Sequence, residues 1–159
     1  MGVDIDEWTR IALESARKLE KEGYEFYTQA AQYTLNPEGK RMFQTLAGQE
    51  VKHYETVNRF IALFGGRTLE MSKEFAYESG VFKETGESRI NENSSEIDAL
   101  NIAREAEKKS IAGYTTIYGK TDNKELKAAM KQLVLEEKKH LMMVENTLEK
   151  ATHEGVKSG

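Results

Sequence analysis

Cysteine is absent from all 159 residues. That excludes disulfides, thiolate zinc sites, iron–sulfur clusters and a catalytic thiol together. Proline is nearly absent: Pro37 stands alone in a chain that is 31% charged. So little proline among so many charges points to long helices. No stretch approaches the roughly 20 apolar residues that span a bilayer. The N-terminal MGVDIDEWTR is acidic and lacks the apolar centre of a signal peptide, so a cytoplasmic protein is expected. A basic excess is also missing, with 23 Lys and Arg against 27 Asp and Glu and a net charge of −4. A general nucleic-acid binder needs a basic face to neutralise phosphates. Neither nucleic acid nor a membrane is expected as a partner.

What remains is 38% hydrophobic and long enough for one domain over residues 1–159. Four helical patterns emerge, over about 5–34, 37–64, 95–119 and 122–151. Asp4 and Glu7 suggest a capping box for the first. Its apolar stripe reads Ile5, Trp8, Ala12, Ala16, Leu19, Gly23, Phe26 or Tyr27, and Ala30. Asn36 before Pro37 predicts the N-cap of the second helix, which stops at Gly65-Gly66. Ser95 with Asp98 opens the third, and Thr121 or Asp122 the fourth. Residues 65–94 read as a long crossover with a short helix near Ser72–Tyr77 and the aromatics Phe75, Tyr77 and Phe82. The polar tail from Thr152 onward is expected to fray. An all-α four-helix bundle of two hairpins follows, each hairpin antiparallel because its link is short.

Two of these helices carry polar residues in core slots. Glu50 and His53 form one Glu-x-x-His pair, and Glu137 and His140 form another. Glu20 and Glu107 lie on the inner stripes of the first and third helices, each thirty residues before its partner glutamate. An unpaired buried carboxylate costs several kcal/mol, of order 3–5 when a partner is missing. Four carboxylates and two imidazoles along one interior therefore call for a compensating charge, and a bound cation is the simplest.

The set is also duplicated. Glu20 and Glu107, Glu50 and Glu137, and His53 and His140 are all separated by 87 residues, as are Tyr27 and Tyr114. Phe43 and Met130, and Leu46 and Leu133, share that offset. The chain thus reads as a repeated helical hairpin. With 23 glutamates in the chain, two histidines preceded by Glu at i−3 arise by chance in roughly 6% of such sequences. Residues i and i+3 share a helix face, so each pair can address one metal cluster. Mixed carboxylate and imidazole donors suit iron or manganese, whereas structural zinc prefers thiolates. One Glu from each of two helices and Glu-x-x-His from each of the other two is the arrangement of di-iron and di-manganese carboxylate bundles.

On these residues, with Glu-Lys-Glu-Gly-Tyr-Glu-Phe-Tyr at 20–27 and Leu-Glu-Glu-Lys-Lys-His at 135–140, nearly the whole chain resembles the rubrerythrin-like proteins of the ferritin-like superfamily. The resemblance implies a ferritin-like fold and two iron ions per chain, with manganese or zinc as alternatives. The implied metal ligands are Glu20, Glu50, His53, Glu107, Glu137 and His140. It further implies reaction with hydrogen peroxide or dioxygen, a homodimer that could exchange helix pairs, and Tyr27 and Tyr114 as hydrogen-bond donors to ligand carboxylates. Two features depart from full-length rubrerythrins. There is no cysteine-bound rubredoxin module, so electrons would come from a separate rubredoxin-type carrier. Ser110 stands where an additional glutamate is expected one turn after Glu107, which makes the ligand set closer to that of a bacterioferritin.

Three functions compete. A rubrerythrin-like peroxidase leads, a ferroxidase that handles iron is second, and a non-catalytic helical module stabilised by metal is third. The absence of a convincing short helix after the fourth tells against a cage-forming ferritin. The remaining polar residues read as surface: Glu136, about 100° around the helix from Glu137, with Glu22, Glu105, His153, Lys108-Lys109 and Lys138-Lys139. The lysine pairs have a minority reading as a dock for an acidic redox carrier.

Overall fold

The computed structural model describes residues 4–71 and 95–157. The expected short helix near Ser72–Tyr77 and the crossover aromatics lie outside the described residues. Among the described residues there are four helices and no strand: α1 (Ile5–Tyr33), α2 (Pro37–Leu63), α3 (Glu96–Lys120) and α4 (Lys124–Lys157). The all-α four-helix bundle is the architecture expected. α1 packs chiefly on α2 and α3 chiefly on α4, with lighter α1–α3 and α2–α4 contacts. Links of three residues close each hairpin, so the paired helices run antiparallel.

The helix boundaries follow local chemistry. Asn36 caps α2 by accepting from the Glu38 and Gly39 amides, and Pro37 follows where its missing N–H is harmless. Ser95 caps α3 by accepting from Asp98 N at 3.0 Å. At α4 the cap is Asn123, whose Oδ1 accepts from Leu126 N at 2.9 Å, rather than Thr121 or Asp122. Asp4 precedes α1 without any side-chain cap bond, so the expected capping box does not form. Beyond the end of α2 the chain turns at Gly65, whose φ of +81° favours a residue without Cβ. α4 continues past the expected end at Ala151. Thr152 Oγ bonds Leu148 O at 2.8 Å, His153 lies 3.8 Å from Glu149, and neither proline nor an effective cap stops the helix sooner.

The chain beyond α2 folds back onto the bundle. Buried Arg17 donates to Asn58 Oδ1 and to Arg67 O, both at 2.8 Å. Tyr54 Oη donates to Leu69 O at 2.9 Å. The inner stripe of the first half of α1 is one position off the expectation. Thr9, Leu13 and Arg17 are buried with Glu20, while Ile5 is exposed and Trp8, Ala12, Ala16 and Leu19 are half-buried. Those four line the flank of α1 instead. Apolar periodicity alone cannot separate two adjacent stripes when small residues populate both.

Two apolar clusters fill the interior. One is built around Phe26, Tyr27, Phe43, Leu46, Leu100 and Val144. The other gathers Leu13, Val57, Ile61, Tyr114, Leu126 and Met130. Between them every helix contributes polar side chains: Glu20 from α1, Glu50 and His53 from α2, Glu107 from α3, and Glu137 and His140 from α4.

We predict that Asn36→Ala and Ser95→Ala each cost about 1 kcal/mol of unfolding free energy, measured by urea denaturation. Asp4→Ala, which removes no cap bond, should cost distinctly less.

Candidate metal centre

The polar layer is almost completely dry: Glu20, Glu50, His53, Glu107, Glu137 and His140 are all 0–5% exposed. One donor atom from each of Glu50, His53, Glu137 and His140 lies within 4.8 Å of the others. The two imidazoles stack with centroids 5.4 Å apart and planes 20° from parallel. Glu137 lies between them. Its Oε1 is 2.6 Å from His53 Nδ1 and its Oε2 is 3.7 Å from His140 Nδ1. Glu20 Oε1 approaches the same His53 nitrogen at 3.6 Å. Glu107 Oε1 and Glu50 Oε1 approach His140 Nδ1 at 3.7 and 3.9 Å. All six residues that the sequence singles out therefore surround one space.

The tyrosines cross over between the halves. Tyr27 of α1 donates to Glu107 Oε1 of α3 at 2.6 Å, and Tyr114 of α3 donates to Glu20 Oε1 of α1 at 2.5 Å. Each phenol ties down one oxygen of a carboxylate and leaves the other alone. Glu20 Oε2, Glu107 Oε2, both oxygens of Glu137 and the Nδ1 atoms of His53 and His140 are buried without a hydrogen-bond partner. The 2.6 Å approach of Glu137 to His53 is an ion-pair contact. Buried polar atoms are nearly always satisfied, and six unsatisfied ones on residues grouped this closely fit the demands of a cation. Oxygen and imidazole donors suit a divalent transition ion.

The electrostatics agree. Burial, then the charges of Glu20 and Glu137, push the Glu50 carboxyl well above 4.5. Burial and the Glu137 charge do the same to Glu107. Burial and the Glu20 charge raise Glu137. For Glu20 burial also acts upward, but the neighbouring Glu50, His53 and Tyr114 groups outweigh it and hold that carboxyl below 4.5. Burial pushes His53 down, yet the Glu137 and Glu20 carboxylates raise it to about 11. Burial wins at His140, which is lowered. Burial and the adjacent carboxylates raise both tyrosines well above 10.0, so they remain donors.

Some polar residues lie elsewhere than the sequence suggests. Glu136 is half-buried, not a simple surface residue, and its Oε2 lies 2.8 Å from His53 Nε2. Its Cα does point away from the centre, but the long side chain reaches the flank of α2. Glu22 is 3% exposed, and Glu25, which no motif marks out, is 1% exposed. Helix α1 is enclosed around most of its middle turns, which a one-stripe reading cannot anticipate. The Glu-Glu doublet at 136–137 is the available signal for Glu136, and only the α2–α4 contact gives it meaning. Glu105, His153, Lys108, Lys109, Lys138 and Lys139 are exposed as expected.

The sequence profile of the rubrerythrin family matches residues 11–148. Two solved structures share the fold. A conserved hypothetical protein of Mycobacterium tuberculosis superposes with a TM-score of 0.73 at 12% identity, over 92% of this chain and 94% of that one. A proposed ferritin-like diiron-carboxylate protein of Thermotoga maritima superposes with a TM-score of 0.72 at 22% identity, over 90% and 95%. No curated protein matches the chain in sequence.

Two outcomes follow from the geometry. The double substitution Glu50→Ala, Glu137→Ala should abolish nearly all metal binding, read by metal analysis after anaerobic loading. The second concerns pH. Glu50, Glu107 and Glu137 hold their protons more tightly folded than unfolded. The folded chain therefore binds more protons above pH 4.5, and metal-free stability should fall as pH rises from that value through the raised folded pKa values. Metal displaces those protons, so the rise in melting temperature on adding Mn(II) should be larger at about pH 8 than at about pH 5. A pH-independent increment would contradict the burial argument.

Proposed function

The chain belongs to the rubrerythrin family, and we propose that it is a non-haem di-iron oxidoreductase that reduces hydrogen peroxide to water with electrons from an external donor. The observation that supports this best is the position of Glu137 between two facing imidazoles, with one oxygen turned toward each. The proposed ligands are Glu20, Glu50, His53, Glu107, Glu137 and His140. When bound, two ferrous ions supply the two electrons that, with two protons, convert one peroxide into two waters.

The protein's own part is to hold this layer in place and keep bulk water out. Apolar clusters on both sides exclude solvent, which strengthens every charge interaction within. Tyr27 and Tyr114 fix the orientation of Glu107 and Glu20 while leaving one oxygen of each for the metal. Access has a candidate route. A groove of about 380 Å³ between α1 and α3 is lined by Trp8, Ala12, Ala16, Ser110, Gly113 and Tyr114. It borders Tyr114, the residue that donates to Glu20.

Ser110 also supports a second reading. The absence of a carboxylate there makes the two halves of the ligand set alike, as suits a ferroxidase that oxidises Fe(II) with dioxygen or peroxide. A homodimer and a separate rubredoxin-type electron carrier complete the leading proposal, in keeping with the resemblance drawn from the sequence.

Stopped-flow oxidation of the diferrous protein, with each oxidant at equal concentration, separates the two readings. We expect faster reaction with hydrogen peroxide, because two electrons complete that reduction in one step whereas dioxygen needs four to reach water. An equal or faster dioxygen rate, with accumulation of ferric product from added Fe(II), would transfer the assignment to the ferroxidase.

A further inference from the structure

The repeat that relates the two hairpins preserves all six proposed ligands and both tyrosines. Among the positions where it breaks beside the centre, one carries a charge onto a proposed ligand. Glu136, whose carboxylate contacts His53 Nε2 at 2.8 Å, has Gln49 as its counterpart 87 residues earlier. Both positions immediately precede a proposed ligand glutamate, Glu137 and Glu50, and both are half-buried. One imidazole is thus backed by a carboxylate, while the repeat puts a neutral amide, Gln49, at the equivalent position in the other half.

The consequence is chemical. A carboxylate accepting from Nε2–H fixes an imidazole in the tautomer whose lone pair lies on Nδ1. Nδ1 of His53 is the nitrogen that faces the buried space and lacks a partner. The same hydrogen bond holds the ring plane and makes Nδ1 a stronger donor. Gln132 Nε2 approaches the other oxygen of Glu136 at 3.4 Å, from one turn earlier on α4. This steadies a side chain that would otherwise be free at the surface. An amide at Gln49 can accept a hydrogen bond but brings no charge.

We propose that Glu136 is a positioning residue that makes the two metal positions unequal, so that a divalent ion beside His53 binds more tightly than one beside His140. The inference rests on the reading of this layer as a two-metal centre. It assigns an order of filling to a ligand set that the repeat would otherwise render equivalent.

Anaerobic titration with Co(II), followed by its d–d absorption and by calorimetry, tests the proposal without turnover. The native chain should take up two ions in two resolved steps. Glu136→Ala should weaken the first step by about 10- to 100-fold and shift the spectrum of that ion, leaving the second step as it was. Glu136→Gln should fall between the two, because it keeps an acceptor without the charge. Gln49→Glu should tighten the second step and bring the two together. If Glu136→Ala leaves both steps unchanged, or weakens both equally, the positioning role is overturned while the two-metal centre stands. Uptake of no Co(II) by the native chain would overturn the centre itself, and this proposal with it.

Discussion

Four carboxylates confined to the interior of a helical bundle repel one another, and burial removes them from the screening of bulk solvent. The rest of this molecule is arranged around that constraint. Glu20, Glu50, Glu107 and Glu137 are each at most 4% exposed, in a region where an unpaired charge is strongly unfavourable. The protein alone relieves the problem in part. Two tyrosines donate to two of the carboxylates, His53 lies among them, and several carboxyls are pushed toward their protonated form. Unsatisfied oxygens and nitrogens remain, and the grouping of their residues marks where positive charge fits. Such a layer is a poor way to stabilise a bundle and a good way to hold divalent metal.

The apolar clusters on either side make the layer workable. Phe43, Leu46 and Leu100 close one side, and Leu13, Val57 and Leu126 the other. Gly23 contributes by its lack of a side chain. A Cβ there would stand 3.1 Å from Glu50 Oε2, so the backbone of α1 can sit directly against the carboxylate of α2. Ser110 occupies the related place on α3 and borders the groove between α1 and α3. The two halves of the layer therefore carry matching sets of proposed ligands but differ in their surroundings, in Gly23 against Ser110 and in the carboxylate behind His53.

Duplication explains both the economy of the site and its cross-connection. Each hairpin supplies one lone glutamate and one Glu-x-x-His pair, which is half of the proposed ligand set. Each tyrosine stabilises the glutamate of the opposite hairpin, so the hairpins are tied together through the same groups that would hold the metal. Folding of the bundle and assembly of the centre are then coupled, as expected for sites that do not exist in the unfolded chain.

Much of this is legible in the sequence because helices convert spacing into direction. Glu at i and His at i+3 share a face whatever surrounds them. The 87-residue offset pairs Glu20 with Glu107 and Tyr27 with Tyr114 by position in the chain alone. The helix caps at Asn36 and Ser95 are local chemistry and equally readable. What spacing cannot decide is anything that depends on how helices sit beside each other. Each tyrosine is seven residues from its own glutamate, yet it bonds the other one, because two turns along α1 reaches the level of Glu107 on α3. Glu136 points away from the centre on its own helix and still meets His53, because α2 passes within reach of a long side chain. Glu22 reads as surface and is buried, and the inner stripe of α1 lies one residue from its expected line. Periodicity fixes angles around a single axis, whereas those contacts arise between axes, and only the packed bundle sets the distances between them.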